Sequence, residues 1–315
     1  MFTRRKRRIL FWISLSAFFL LLGPVLIYSL GYRIGEGFNI EKTGGIFIKS
    51  SQAGTEIYTD GKLKKTTSYL SESALVKNIT PGIHVVSVKL PGFWDWEKKL
   101  EVFSEEVTSR NVLLVPTDPQ GKILGEKSEI FEPFIKTGVL YHYDNGVPKA
   151  VYSGVKKFWP LSGDKFLILG EDGNFYLNKE KITNEFSEET LDALKSYPNS
   201  AFEDNDRRLV LWDTRNIDSI WLDDKDKMPL WQKEPSITIY TSPRGATIRQ
   251  VVEYPGWPDY LLIAMQNGIF ALEMDYSGGQ NIAPIYKGKG PEIVSVKDGM
   301  VYIFDDGNYL EVILP

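Results

Sequence analysis

Hydrophobic and polar positions follow three different patterns along this chain, and each predicts its own kind of element. Residues 9–30 carry no charge, and fourteen of these twenty-two are Leu, Ile, Phe or Val. At about −0.3 to −0.6 kcal/mol apiece, such residues favour insertion into a bilayer. A helix of this length covers roughly 33 Å, enough for a hydrocarbon core near 30 Å. Trp12 and Tyr28 fall near its two ends, where amphipathic rings settle at the headgroups. Gly23 and Pro24 interrupt the run, and Ser29-Leu30-Gly31 is a small-x-small sequence, so a cleaved signal peptide is the competing reading. The apolar run continues beyond the break, and Pro is tolerated in a spanning helix, which favours an anchor.

Residues 31–44 contain four glycines and show neither helical nor strand periodicity, so they read as a flexible tether. From 45 to 115 the pattern changes to strand-sized runs at 46–49, 55–58, 74–79, 83–90, 96–103 and 107–114. Asp60-Gly61 and Pro81-Gly82 lie between them as turn dipeptides, with Gly supplying the positive φ that other residues avoid. About seventy residues of this kind predict a small β-sandwich. Pro116 and Pro119 then mark a linker over 116–121.

A repeat follows over 122–315: an apolar strand, a tight turn and a second apolar strand. It runs through 165–177 with its turn at Asp172-Gly173, 209–222, 260–272 with Asn267-Gly268, and 300–313 with Asp306-Gly307. The leading Asp164, Asp206, Asp259 and Asp298 stand 42, 53 and 39 apart, a spacing that fits four-stranded propeller blades. A further strand recurs at 151–154, 239–242 and 285–288, expected at the outer edge of each blade. The fold class predicted is mainly β: an N-terminal transmembrane helix, a small β-sandwich, then a β-propeller-like domain of about five blades near 122–154, 155–198, 199–243, 244–288 and 289–315. The last blade is one strand short, so a strand from Ile123 to Ile135 is expected to pair with Tyr309 to Leu314, closing the ring and removing an exposed edge. One helix is expected at 188–195, capped by Ser187 and ended by Pro198.

Charge changes the picture by giving the anchor a direction. Arg4, Arg5, Lys6, Arg7 and Arg8 precede the apolar run, and the first acidic residue is Glu36. The positive-inside bias leaves residues 1–8 in the cytoplasm and sends the rest outward. Without those five cations, 32 basic groups face 41 acidic ones, so the exported part carries about −9, which argues against nucleic acid or an anionic lipid surface as partner. With no cysteine, disulfides and thiolate metal sites are excluded.

Candidate chemistry is sparse. The two histidines, His84 and His142, sit in strand patterns and read as packing residues, and no His-x-x-x-His pair suits zinc. No nucleophile elbow, phosphate loop or dinucleotide fingerprint occurs, so no cofactor is implied. Asp144, Asp172, Asp298 and Asp306 lie in hairpin turns, where Asp bonds its own backbone. Asp204 with Asp206, and Asp223, Asp224 and Asp226, lack the spacing of a calcium loop. Trp159, Trp212 and Trp221 belong to strands and should pack. Trp94, Trp231 and Trp257 follow Gly or lie in Pro-containing loops and are the candidate partner-binding residues, since an exposed ring can stack on a sugar or anchor a protein.

The sandwich region resembles a known family. Gln52-Ala53-Gly54-Thr55-Glu56-Ile57-Tyr58-Thr59-Asp60-Gly61-Lys62, then Thr66-Thr67, Thr80-Pro81-Gly82-Ile83-His84-Val85-Val86-Ser87-Val88 and Gly92-Phe93-Trp94-Asp95-Trp96 are similar in order and spacing to the PEGA domain. Of the name-giving tetrapeptide only Gly54 matches. The resemblance covers residues 45–115 and implies a non-catalytic β module of bacterial surface and membrane-attached proteins. Together these readings predict a non-enzymatic, single-pass, membrane-anchored extracytoplasmic binding or scaffold protein of the bacterial envelope, whose head meets an unknown protein or cell-wall glycan. An exported hydrolase with carboxylates in a propeller funnel, or an envelope sensor or assembly factor, are the alternatives.

Overall fold

The computed structural model describes residues 4–29, 31–34, 40–125, 132–144, 147–161, 165–177, 179–182, 186–197, 199–203 and 205–315. Leu30, Gly35, Gly37, Asp164, Pro198, Asp204 and residues 126–131, on which expectations fell, lie outside the described residues. The chain forms two compact units, one of Met1–Leu90 with Glu97–Val112 and one of Pro91–Trp96 with Leu113–Pro315.

In the first unit, helix α1 (Arg4–Ser29) continues through Gly23 and Pro24 without a break. Its Arg7–Leu26 segment is long and apolar enough to cross a membrane. The stretch behind it is not the free tether that its glycines predict. Strand β1 (Tyr32–Ile34) pairs antiparallel with β2 (Ile40–Lys42). Thr43 donates from its N–H (3.0 Å) and its Oγ1 (2.8 Å) to the carbonyl of Gly31. The Arg33 guanidinium stacks 3.5 Å above the Tyr28 ring, and Lys42 is paired with Glu105 at 2.7 Å. Strands of three residues are too short to display a period of two, so this ribbon leaves no trace in the hydrophobic pattern.

The sandwich is built from β3 (Gly44–Ser50), β4 (Glu56–Thr59), β5 (Lys62–Thr66), β6 (Ser73–Ile79), β7 (Gly82–Lys89), β8 (Trp96–Val102) and β9 (Val107–Val112). They form the sheets β6-β3-β9 and β5-β4-β7-β8. Side chains of a strand point alternately to its two faces. Accordingly β8 buries Trp96, Lys98, Leu100 and Val102 while Glu97, Lys99 and Glu101 face out. Ile46, Ile48, Ile57, Val86, Val88 and Leu100 are buried by the same rule. Asp60 (φ 52°) and Gly61 (φ 72°) make the type I′ hairpin turn that an Asp-Gly pair favours. Gly44 is required by space: a Cβ there would lie 2.2 Å from the Phe103 carbonyl oxygen.

Among the described residues the second unit holds five small antiparallel sheets. Strands β10 (Gly121–Gly125), β11 (Phe134–Lys136), β12 (Val139–Asp144) and β13 (Val147–Ser153) come first, then β14 (Val155–Leu161), β15 (Lys165–Gly170), β16 (Phe175–Leu177) and β17 (Glu180–Lys181). Helix α2 (Glu188–Ser196) precedes β18 (Asn199–Glu203), β19 (Arg208–Trp212), β20 (Asn216–Trp221) and β21 (Ser236–Thr241). The chain ends with β22 (Ile248–Glu253), β23 (Tyr260–Met265), β24 (Gly268–Glu273) and β25 (Ile282–Lys287), then β26 (Glu292–Lys297), β27 (Met300–Asp305) and β28 (Asn308–Ile313). The sheets are β11-β12-β13, β14 to β17, β18 to β21, β22 to β25, and β26-β27-β28-β10. The terminal pairing is present, but its strand starts earlier than expected and shares only 123–125 with the expected segment: Gly121 lies opposite Val312, Ile123 opposite Leu310 and Gly125 opposite Tyr309. Phe134 and Ile135, at the end of the expected segment, instead pair with β12.

The apolar runs at 165–169, 209–212 and 260–265 are second strands buried on both faces, as continuous hydrophobicity demands, whereas the run at 300–304 alternates. Their side chains divide by period two between neighbouring cores. Phe166 and Ile168 of β15 pack with Leu140 and Val155, whereas Leu167 and Leu169 join Trp159, Leu209 and Leu211. Val210 and Trp212 face the other way, toward Leu261, Ile263 and Met265. Tyr260, Leu262 and Ala264 pack with Ile293, Val301, Ile303, Leu113 and Val115. Each sheet from first to fifth is thus stapled to the next through its second strand. Helix α2 has the predicted cap, Ser187 Oγ accepting from Thr190 N at 3.2 Å. The predicted linker begins inside the second unit rather than between free modules: Thr117 N bonds the Gly92 carbonyl (2.9 Å) and Trp94 N bonds that of Val115 (2.8 Å).

Candidate functional site

First strands of successive sheets in the second unit lie side by side and are joined by polar side chains. On β14, Lys157 Nζ (3.4 Å) and Trp159 Nε1 (2.5 Å) both donate to Ser200 Oγ of β18. On β22, the Gln250 amide spans to β26 in both directions: its Nε2 donates to the Ile293 carbonyl at 3.1 Å and its Oε1 accepts from Ile293 N at 2.7 Å. Arg249 Nη2 pairs with Glu292 at 2.9 Å. Lys157 and Trp159 stand two apart on β14 and so share the face that meets Ser200.

Two cavities open beside this row. One of about 360 Å³ is lined by Glu132, Val252, Glu253, Pro255 and residues 293–296. Another of about 430 Å³ is lined by Lys156 and Lys157 of β14, Leu169 of β15, Gly173 of the next turn, and Leu194, Lys195 and Tyr197 at the end of α2. Burial pulls Lys157 below the ordinary lysine value. Tyr197 is pushed up to about 12, first by its 2.7 Å hydrogen bond to Asp218 and then by burial.

The three candidate tryptophans separate. Trp94 is 42% exposed. Trp257 is half-buried and packs against the core formed by the fourth and fifth sheets, with Tyr260 edge-on at 6.2 Å. Trp231 is a correction: it is buried, so its ring is not a surface anchor. Its indole N–H donates to Asp259 Oδ1 at 3.0 Å, and the guanidinium of buried Arg208 lies 5.4 Å from the ring centroid. Arg208 also lies 5.6 Å from the Trp221 ring and donates from Nη1 to the Pro258 carbonyl at 2.8 Å. Prolines marked the loop correctly, but the long-range partners that draw Trp231 inward leave no local signature. Trp159, Trp212 and Trp221 are buried as expected.

His84 has a structural setting, its Nδ1 2.7 Å from Asp60 Oδ2 and its Nε2 2.8 Å from the Thr80 carbonyl, across the first turn of the sandwich. His142 packs edge-on to Phe166. Asp223 is tied to Lys227 at 3.0 Å, and its carboxyl is held below the usual range by the Asp224 N–H and then by Lys227. Among the described residues no group of three His, Cys, Asp or Glu could hold a metal ion.

Residues 43–118 match the PEGA domain family, which agrees with the resemblance of the sandwich strands. No curated protein matches the chain. Among solved structures the chain is similar to "Kluyveromyces lactis Hsv2 complete loop 6CD", at 12% identity and a TM-score of 0.31, over 70% of this chain and 67% of that one. It is also similar to the "AfRom2 CNH domain", at 12% identity and a TM-score of 0.25, over 73% of this chain and 60% of that one. Such scores carry no argument about fold or function.

Proposed function

We propose that the chain is a non-enzymatic, membrane-anchored binding or scaffold protein of the bacterial envelope, with its PEGA domain and a propeller-like head of five blades outside the membrane. The observation that carries this reading is the head's construction. Five sheets follow one another in chain order, each packs on the next through its second strand, and β10 completes the last one. An arrangement of successive packed sheets that displays a polar first-strand row suits recognition of a partner. The apolar helix and the five cations before it support the orientation, and the bonds of Thr43 and Arg33 around Gly31 and Tyr28 support a held rather than loose stalk. The partner is a protein or a wall glycan, met by Trp94 and the exposed edge of Trp257.

The chain has no cysteine, which makes a clean test available. Thr3→Cys and Lys64→Cys variants are treated on intact cells with a membrane-impermeant maleimide. Label is expected at position 64 before lysis and at position 3 only after it; the reverse order sinks the orientation. Co-sedimentation of the full chain with isolated cell-wall sacculi should then fall on Trp94→Ala with Trp257→Ala. Undiminished sedimentation removes those two rings from the partner face.

A further inference from the structure

We propose that the cavity between the second sheet and α2 binds a compact organic anion, a carboxylate or phosphate carried on a small apolar body. The inference goes beyond the envelope-binding reading and stands or falls separately from it. Three lysines, Lys156, Lys157 and Lys195, line the cavity of about 430 Å³, and its lining among the described residues includes no carboxylate. The rest of the lining is Leu169, Leu194, Gly173 and Tyr197, with both leucines buried beneath the opening. In a protein of net charge −4, three lysines gather around an apolar floor, with Asp192 and Asp218 bonded to lining residues at its margin. A shared concavity of this kind concentrates anions, because low-dielectric walls focus the field of the charges around it.

Lys156 and Lys195 have settings that leave them able to answer a ligand. Lys156 is exposed. Lys195 meets Asp192 only at 3.6 Å, an exposed i,i+3 pair of the sort that contributes little. Lys157 lies over the Trp159 ring at 4.7 Å and reaches Ser200 Oγ at a long 3.4 Å. Its lowered proton affinity, caused by burial, is the condition that an incoming negative charge relieves. The Tyr197 hydroxyl donates to Asp218, so that carboxylate is already bonded, and it is not among the described lining residues. A cavity of this volume lies in the range that encloses a small molecule rather than a polymer segment. The leucine floor adds apolar contact that a bare inorganic ion could not use.

The test uses the full chain in neutral detergent, with phenyl phosphate, inorganic phosphate and benzyl alcohol as probes in isothermal titration. Phenyl phosphate is expected to saturate a single site and to weaken as salt is raised. Inorganic phosphate should bind more weakly and benzyl alcohol not measurably. Lys156→Gln with Lys195→Gln should weaken phenyl phosphate by about fivefold or more, with its melting temperature unchanged. Should that variant fail to fold, acetylation of Lys156 and Lys195 in the unaltered protein, read by mass spectrometry, should be slowed by phenyl phosphate and not by benzyl alcohol. No saturable binding, binding that ignores the double substitution, or acetylation rates indifferent to phenyl phosphate would each overturn the proposal. Equal affinity for the two phosphates would overturn the role given to the leucine floor.

Discussion

Trp231→Ala separates a packing role from a recognition role at one residue. The side chain is 9% exposed, and an aromatic ring of its size buries about 150–250 Å² on folding. Truncation leaves a void beside Val210, Trp212, Leu261 and Ile263, the core that joins the third and fourth sheets. Large-to-small changes of this type cost about 3–5 kcal/mol. The top of that range is expected, because the substitution also takes a donor from Asp259 and one ring from the buried Arg208 guanidinium. For a unit of this size, about 2–4 °C of melting temperature corresponds to each kcal/mol, so the main transition should fall by roughly 10–20 °C. Circular dichroism of the full chain in detergent reads the shift, with Trp94→Ala as the control. Trp94 is 42% exposed, and its loss should change stability by no more than about 0.5 kcal/mol. A Trp231→Ala protein that melts with the unaltered chain, or a Trp94→Ala protein that melts well below it, would refute the assignment of which ring is inside.

Two pH effects follow from local bonding. Burial alone would raise the Asp60 carboxyl, but bonds from His84 and the Val85 N–H outweigh it and leave its value below the ordinary one. A lowered folded value means stability present above the unfolded aspartate range near pH 4 and lost as pH falls through the folded value. Acid titration of Asp60→Asn should therefore lack that part of the loss between roughly pH 5 and 2, and an acid profile identical to the unaltered chain would exclude it. In the turn after β15, Asp172 is held at about 2, chiefly by the Tyr176 hydroxyl and then by Asn174. Carboxyl titration by NMR should show this value move up in Tyr176→Phe, and no movement would mean that the hydroxyl is not the main cause.

Period and burial explain what the hydrophobic pattern could and could not disclose. Residues 165–169, 209–212 and 260–265 stand out because both faces of those strands are covered, so nothing polar interrupts them. The Asp-Gly turns at 60–61, 298–299 and 306–307 were equally visible, for both residues of each pair take positive φ. Asn267-Gly268 resembles them but misleads by one position. Gly268 already belongs to β24, opposite Met265, and glycine is needed there because a Cβ would lie 2.2 Å from the Tyr286 carbonyl oxygen. A close approach and a left-handed turn both select glycine, and the sequence cannot distinguish the two causes. The same ambiguity governs Arg208. Its charge placed the start of the apolar run at Leu209, yet the residue is 1% exposed because two tryptophan rings and a carbonyl receive its guanidinium. Charge predicts exposure only until a fold supplies partners from elsewhere in the chain, here from residues 221, 231 and 258. The lysine cavity obeys the same logic in the opposite direction. Lys156 and Lys157 look like an ordinary solvated pair until α2 delivers Lys195 beside them, so the site exists only at the level of packing.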